Sequence, residues 1–147
     1  MNSLRRRSTG FTLVELMIAA SVASVLASVA YPSFSGALHK ARRSEAQIAL
    51  ILLQQAQERW RSDNSRYASL ADLGLAAETV SHNYALSVTE PSADGYVAVA
   101  QAANAQLGDR TCRYMLLSVA LGNLSYRSGE TPAAANDAQA NRQCWGQ

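Results

Sequence analysis

A chain of 147 residues, 48% of them hydrophobic and 16% charged, leaves room for one small globular domain beside a long apolar segment and excludes a second domain. The formal net charge of +2 arises at the N-terminus, because without residues 1–10 there are 10 basic against 11 acidic side chains, a balance of about −1. The basic character therefore belongs to the first ten residues and not to the domain.

Residues 11–31 form an apolar segment that follows the basic run Arg5–Arg7. Between Phe11 and Ala30 the only formal charge is Glu15. At 1.5 Å rise per residue, such a helix is about 30 Å long, which matches the core of a bilayer. The positive-inside rule places the N-terminus in the cytoplasm and the rest of the chain on the other side. The sequence therefore predicts one membrane-spanning helix.

Glu15 is unusual in this setting, because a charged side chain within a membrane-spanning helix costs about 2.5–3.5 kcal/mol. The run from Gly10 to Glu15, Gly-Phe-Thr-Leu-Val-Glu after a short basic leader, resembles the start of type IV prepilins. The resemblance implies that a prepilin peptidase cuts after Gly10 and that the new N-terminal residue, Phe11, is N-methylated. It also implies that Glu15 pairs with an N-terminal ammonium, usually that of a neighbouring subunit, which would give the buried carboxylate its cation.

Three other interpretations of the N-terminus remain. A secretory signal cleaved after Ala30 is disfavoured by Glu15 and by Pro32 just past the cut. A plain membrane anchor leaves Glu15 unexplained. A twin-arginine signal would need apolar residues directly after the arginines.

Residues 32–63 predict an amphipathic continuation of the helix. Pro32 is expected to kink or locally open it, because proline lacks an amide hydrogen and clashes with the preceding turn. The apolar residues beyond it recur every three or four positions and should form one buried face: Ala46, Ala49, Leu50, Leu53, Ala56 and Trp60. Lys40, Arg42 and Arg43 are expected to be a solvated flank, with acidic lipid headgroups or other subunits as alternative partners.

Residues 64–82 are predicted to be a connecting loop with a capped turn at 69–74. In residues 83–147 the pattern becomes alternating, as in short strands near 84–88, 96–102, 114–119 and 124–126. The pair Gly122-Asn123 indicates a tight hairpin turn. We therefore predict an α+β fold in which a long N-terminal helix packs against a small antiparallel β-meander, the fold that the pilin resemblance also implies.

Cys112 and Cys144 both lie on the predicted exported side, so a disulfide is expected. It would hold a tail that has little apolar content from Ser128 onward, and would stabilise the domain by about 3–4 kcal/mol. The disulfide-closed end with Cys144-Trp145, and the helix end Gln57-Glu58-Arg59-Trp60, resemble PilE-like minor pilins.

No catalytic, cofactor or metal site is predicted. The sequence has no Gly-x-Ser-x-Gly or HExxH motif, and His39 and His82 lie far apart. Asp94, Asp109 and Asp137 lack the short spacing of a calcium site, which some secretion pseudopilins possess.

A possible DNA-binding set depends on the disulfide, which would bring Arg142 close to Arg110 and Arg113. The residues expected nearby are Arg127, Tyr114, Tyr126 and Trp145. Arginines interleaved with aromatic rings suit nucleic acids, and some minor pilins of competence systems bind DNA. Solvated charge is the other interpretation, and Asp109, Glu130 and Asp137 would weaken the positive field.

The sequence thus predicts a non-enzymatic structural subunit of a type IV pilus, most similar to PilE-like minor pilins. A DNA-binding minor pilin of a competence system and a type II secretion pseudopilin are the alternatives. The resemblance implies a single-pass inner-membrane protein with a cytoplasmic N-terminus and a periplasmic C-terminal domain, later found in a cell-surface pilus. Its implied partners are other pilin subunits through the N-terminal helix, the prepilin peptidase and the inner-membrane assembly platform.

Overall fold

The computed structural model describes residues 11–133 and 138–146, and of residues 31–33 it describes the backbone. The predicted leader, residues 1–10, lies outside these ranges. The chain divides into two compact units, the first ending at Ala37 and the second beginning at Leu38. Helix α1, Leu13–Asp63, contributes residues to both.

The first unit is the N-terminal part of α1. Its large apolar side chains from Leu13 to Val29 are 55–76% exposed. This part of α1 is long and apolar enough to cross a membrane. The helix continues through Pro32, so the proline does not end it.

The second unit contains a four-stranded antiparallel sheet in the order β1-β2-β3-β4. The strands are β1 Tyr84–Thr89, β2 Gly95–Ala102, β3 Tyr114–Ala120 and β4 Asn123–Gly129. This sheet, together with α1, confirms the predicted α+β fold and its meander.

The turn between β3 and β4 differs by one residue from the prediction, because its two central residues are Leu121 and Gly122. Both have positive φ, 50° and 78°, as the tight turns of two-residue hairpins require. Asn123 is instead the first residue of β4. The Gly122-Asn123 pair therefore predicted the position of the hairpin correctly, but the two turn residues lie one position earlier than predicted.

One core joins α1 to the sheet. Of the predicted helix face, Ala46, Leu50, Leu53 and Ala56 are at most 8% exposed, whereas Ala49 and Trp60 are half-buried. The sheet contributes the large side chains Tyr84, Tyr96, Met115, Leu117 and Val119. The alternation in β3 did not show which face is buried, and the structure places the odd-numbered positions 115, 117 and 119 in the core.

The loop after α1 is held to the helix by Gln57, which is fully buried. Its side chain donates from Nε2 to the carbonyl of Ala68 (2.7 Å) and accepts from the amide of Ala68 at Oε1 (2.9 Å). Next along the loop, Ser69 and Asp72 close a short turn through their side chains (2.6 Å), and Gly74 leaves it with φ 65°. The loop thus covers the last turns of α1 without strands of its own.

The C-terminal region is more ordered than the sequence indicated. In place of an irregular tail there is a second helix, α2, Ala138–Trp145, which lies along β4. Trp145 Nε1 donates to the carbonyl of Arg127 (3.2 Å), and Asn141 Nδ2 donates to that of Tyr126 (2.9 Å). An eight-residue helix is unstable alone, so α2 depends on these contacts, and in return it covers an edge strand.

A buried polar cluster connects α1 with the segment between β2 and β3. Arg43 donates from Nε and Nη2 to the two carboxylate oxygens of Asp109 (2.6 and 2.8 Å), and from Nη1 to the carbonyl of Gln143 (2.9 Å). The side chains of Arg43 and Asp109 are 11% and 5% exposed. The expectation that Arg43 belongs to a solvated flank is therefore wrong, because a two-pronged guanidinium–carboxylate pair is strong enough to hold it inside.

Gln106 completes this cluster and is itself fully buried. Its Nε2 lies 2.9 Å from Asp109 Oδ2, 3.1 Å from the Tyr84 hydroxyl and 3.2 Å from the carbonyl of His39. Burial, against the opposing effect of the hydrogen bond from Gln106, raises the pKa of Tyr84 to about 12. The phenol therefore keeps its proton at neutral pH.

We expect Asp109→Asn to lower the free energy of unfolding by about 3–5 kcal/mol, because it leaves the Arg43 guanidinium buried without its counter-charge. Denaturant titration of the full chain in detergent micelles measures the loss. Glu78→Gln is the matched control, since the side-chain contact of Glu78 with His82 is exposed, and its loss should change stability by less than about 1 kcal/mol. Equal effects of the two changes would contradict the role given to Arg43.

Candidate assembly and nucleic-acid interfaces

The start of α1 contains Phe11 and Glu15, the two predicted assembly residues within the described part of the chain. Phe11 precedes the helix and is 84% exposed. Glu15 Oε2 accepts hydrogen bonds from the amide and the hydroxyl of Thr12 (both 3.0 Å), and the Glu15 amide donates to the Thr12 hydroxyl (3.2 Å). Gly10, the residue before the predicted cleavage point, lies outside the described residues.

These contacts are a capping box, which satisfies amide groups that the first turn of a helix leaves unpaired. Its Thr-x-x-Glu signature is present in the sequence at residues 12–15, but the partner expected for Glu15 was an N-terminal ammonium, usually that of a neighbouring subunit. Glu15 thus has a local partner, Thr12, within its own chain. A carboxylate next to the positive end of the helix dipole is also favourable in itself.

The expected disulfide is present between Cys112 and Cys144, with an S–S distance of 2.06 Å and a Cα–Cα distance of 5.6 Å. Cys112 ends a short 3-10 turn two residues before β3, and Cys144 lies in the last turn of α2, so the bond joins two elements far apart in sequence. Both cysteines are buried in the core. This bond brings the residues around Cys112 close to those around Cys144.

Three of the four predicted DNA-binding arginines therefore lie at one end of the second unit. Arg110 and Arg142 are exposed, each two residues from a bonded cysteine. Arg113 is half-buried and engaged: Nη2 donates to the carbonyl of Leu107 (3.1 Å), and Nη1 lies 3.7 Å from Glu130. The structure brings these three arginines together.

Arg127, the fourth arginine, lies on β4. It is opposite Leu116 in the pairing of β4 with β3, on the outer face of the sheet and two residue pairs from Tyr114. Tyr114 is half-buried on that same face. Arg127 and Tyr114 are therefore diagonal neighbours on the sheet.

The other two aromatic residues predicted to accompany the arginines have a different role. Tyr126 and Trp145 pack against each other with ring centroids 4.8 Å apart. Trp145 is only 8% exposed, and its ring nitrogen is bonded to the backbone. Stacking on a base is not available to Trp145, because its ring closes the core beneath α2.

The acidic residues oppose the arginines less than expected. Asp109 is already paired with Arg43, so it does not weaken the field at Arg110 as a bare carboxylate would. Glu130 faces Arg113, and Asp137 lies outside the described residues. Within residues 11–133 and 138–146, no group of three or more His, Cys, Asp or Glu side chains is placed to hold a metal ion.

At the N-terminus, residues 5–31 match the prokaryotic N-terminal methylation motif. The type IV major pilin protein PilA of Myxococcus xanthus is 38% identical over 73 residues, which are 49% of this chain and 33% of PilA. The type II secretion system core protein G of Pectobacterium carotovorum is 34% identical over 91 residues, 62% of this chain and 58% of that protein. The chain thus spans a third of the first relative and 58% of the second, less than two thirds in both cases.

A more complete match is the type IV wide pilus major component PilA4 of Thermus thermophilus, 30% identical over 97 residues, 65% of this chain and 74% of PilA4. Together with the long helix, the antiparallel sheet and the disulfide, these relatives define the class: a type IV pilin, which is a structural protein and not an enzyme. Residues 32–116, more than half of the chain, match the family described as type IV minor pilin ComP, DNA uptake sequence receptor. The chain belongs to this family of type IV minor pilins.

Removing the disulfide should release α2 from β4. We expect the double change Cys112→Ser and Cys144→Ser to lower the free energy of unfolding by about 3–4 kcal/mol, because the 32-residue separation no longer restricts the unfolded chain. The indole ring of Trp145 should become exposed to solvent, so its fluorescence emission maximum should shift to longer wavelength. As a control, reductant should reproduce both effects in the wild type and should have no further effect in the variant. Unchanged stability and Trp145 emission in the variant would show that α2 docks on β4 without the disulfide.

Proposed function

We propose that this chain is a DNA-binding minor pilin that acts as a receptor in DNA uptake, the function that the sequence analysis kept as an alternative to a plain PilE-like subunit. The match of residues 32–116 to a family described as a DNA uptake sequence receptor carries the proposal. That match begins after the apolar segment common to pilins and includes Arg110 and Arg113. It therefore concerns the domain and not the shared N-terminus.

The geometry of the basic residues supports the proposal. Arg110 and Arg142 project from turns and helix at one end of the second unit, where the buried Arg43 neutralises Asp109. Exposed guanidinium groups bind phosphodiester oxygens, and a backbone-directed contact of this kind supplies most of the affinity for duplex DNA. Arg113 and Arg127 extend the same set.

For biogenesis, we propose the route that the N-terminal methylation motif favours. A prepilin peptidase cuts after Gly10, Phe11 is N-methylated, and the chain waits in the inner membrane with its N-terminus in the cytoplasm and its domain in the periplasm. The assembly platform then moves it into a pilus, where the apolar side chains of residues 11–31 find other subunits in place of lipid. The exposure of the large apolar side chains from Phe11 to Val29 in the single chain supports this step.

The second candidate is a subunit of a type II secretion pseudopilus, favoured by the similarity to core protein G. The two functions differ in where the protein is found and in what its loss abolishes. Deletion of the gene should abolish DNA uptake and leave protein secretion unchanged under our proposal. The opposite result would favour the pseudopilin.

We expect the full chain, in micelles of a neutral detergent, to bind duplex DNA with an affinity that falls as salt rises, by about 0.9 log units per log unit of salt for each phosphate neutralised. Changing Arg110 and Arg142 together to Ala should reduce this slope by about 2, because two phosphate contacts are lost. Fluorescence anisotropy of labelled duplexes across a salt series measures it.

The matched control for DNA binding removes two exposed arginines elsewhere, Arg59 and Arg66, by the same change to Ala. This pair should leave the slope as in the wild type. Equal losses in both variants would show that only net charge matters, and no binding at low salt would reject the receptor proposal.

Glu15→Ala should insert in the membrane and be cleaved after Gly10 like the wild type, because the scissile bond is unchanged. We expect it to be missing from sheared pili, since an N-terminal ammonium inside the fibre would then lack its counter-charge, at a cost of about 3–5 kcal/mol. Immunoblots of sheared and membrane fractions, with the mass of the mature chain, measure both steps.

Thr12→Val is the matched control, because it removes the hydroxyl of the capping box and keeps the carboxylate. If assembly depends on the charge, Thr12→Val should still enter pili. Exclusion of both variants would assign the effect to helix capping instead.

A further inference from the structure

Four exposed or half-buried cations lie next to Arg43 or next to the residues that it contacts. Arg43 contacts Asp109 and Gln143, and the chain neighbours of those two residues are Arg110 and Arg142. On α1 itself, Arg42 adjoins Arg43, and Lys40 lines a shallow cavity of about 200 Å³ with residues 143–146. We call Lys40, Arg42, Arg110 and Arg142 the basic collar.

The surface around the collar has a net positive charge, because the carboxylates of Asp109, Glu130 and Glu45 are bound to other partners. Asp109 is already paired with Arg43, and Glu130 faces Arg113. Glu45, the next acidic residue along α1, accepts from the amide and hydroxyl of Ser81 (2.9 and 2.7 Å). Partial burial opposes this effect, but the hydrogen bonds prevail and lower the pKa of Glu45. Glu45 is thus an anion bound to its own loop.

The collar also lies close in sequence to the apolar segment. Lys40 and Arg42 follow residue 31 by nine and eleven residues of the same helix. Cations near a bilayer surface are attracted to anionic headgroups, each strengthening binding about fivefold, and the attraction fades beyond a Debye length. Long lysine and arginine side chains can reach back along the helix toward the headgroups, so this position favours lipid as the partner of these charges.

We propose that the basic collar binds the phosphodiester headgroups of anionic phospholipids while the chain waits in the membrane. This inference rests on the membrane stage of the proposed function and goes beyond it. Arg110 and Arg142 belong to both the collar and the DNA-binding set, and DNA presents the same phosphodiester chemistry. Entry into a pilus then withdraws the collar from lipid and makes these two arginines available to DNA.

Trp145 reports on this contact, because it lies three residues from Arg142 and one from Cys144. The probe is the full chain with Trp60→Phe, reconstituted in vesicles that carry a dansyl-labelled headgroup. Trp60 can be replaced without losing a hydrogen bond, since its ring nitrogen has no partner among the described residues. Energy transfer from Trp145 to dansyl should be higher in vesicles that contain anionic phosphatidylglycerol than in vesicles of neutral phosphatidylcholine alone. High salt should remove this difference between the two kinds of vesicle.

The double change Lys40→Gln and Arg42→Gln removes two cations. It should lower the ratio of domains with the collar on the anionic lipid surface to domains with the collar free of it by about 25-fold. Arg59→Gln with Arg66→Gln removes the same charge elsewhere and should behave as the wild type. Equal transfer in neutral and anionic vesicles, or equal effects of the two variants, would overturn the inference. Failure of the chain to co-float with either kind of vesicle would instead reject the membrane stage itself.

Discussion

The buried ion pair between Arg43 and Asp109 is the contact on which the architecture of the domain depends. It joins α1 to a segment of two short 3-10 turns that lies between β2 and β3. Two charges out of water are costly, and the cost is offset here because both carboxylate oxygens and the third arginine nitrogen have partners. Gln106 supplies a further donor to the carboxylate. A single guanidinium thus fixes the segment between β2 and β3 and, through the carbonyl of Gln143, helix α2.

The disulfide and the contacts of α2 with β4 hold the C-terminal helix in place, together with the bond from Arg43 to Gln143. Cys144 is tied to Cys112, Gln47 donates to the carbonyl of Cys144 (2.8 Å), and α2 lies on β4. In this arrangement the C-terminal segment protects an edge strand, which would otherwise offer free backbone groups to other chains. The same anchoring gives the arginines around the disulfide fixed positions, which a recognition surface needs.

The two units use apolar surface in different ways. The first leaves the large side chains from Leu13 to Val29 exposed, so in water it would be insoluble, and membrane or other subunits must cover it. The second buries its apolar residues between α1 and the sheet and leaves charge at its surface. The proposed transfer from lipid to fibre would need this division, because one part would change environment while the other keeps its fold.

The sequence by itself determined those features that depend on neighbouring residues. A run of apolar residues with one glutamate defines the N-terminal helix and its pilin character, alternation defines strands, and exported cysteines define the bond between Cys112 and Cys144. The position of Gly122 was found, but not the register of its turn, since either neighbour suits a tight loop.

Only the tertiary structure decided the remaining features, because they depend on contacts between distant residues. Arg43 meets Asp109 and Gln143 across 66 and 100 residues, so its local pattern resembled a solvated flank. The helix α2 has too few apolar residues to be recognised alone, and it forms where β4 and the disulfide hold it. The proximity of Arg142 to Arg110 and Arg113 was expected from the disulfide, but the same contacts also turned Trp145 into the core, and no local pattern carries that information.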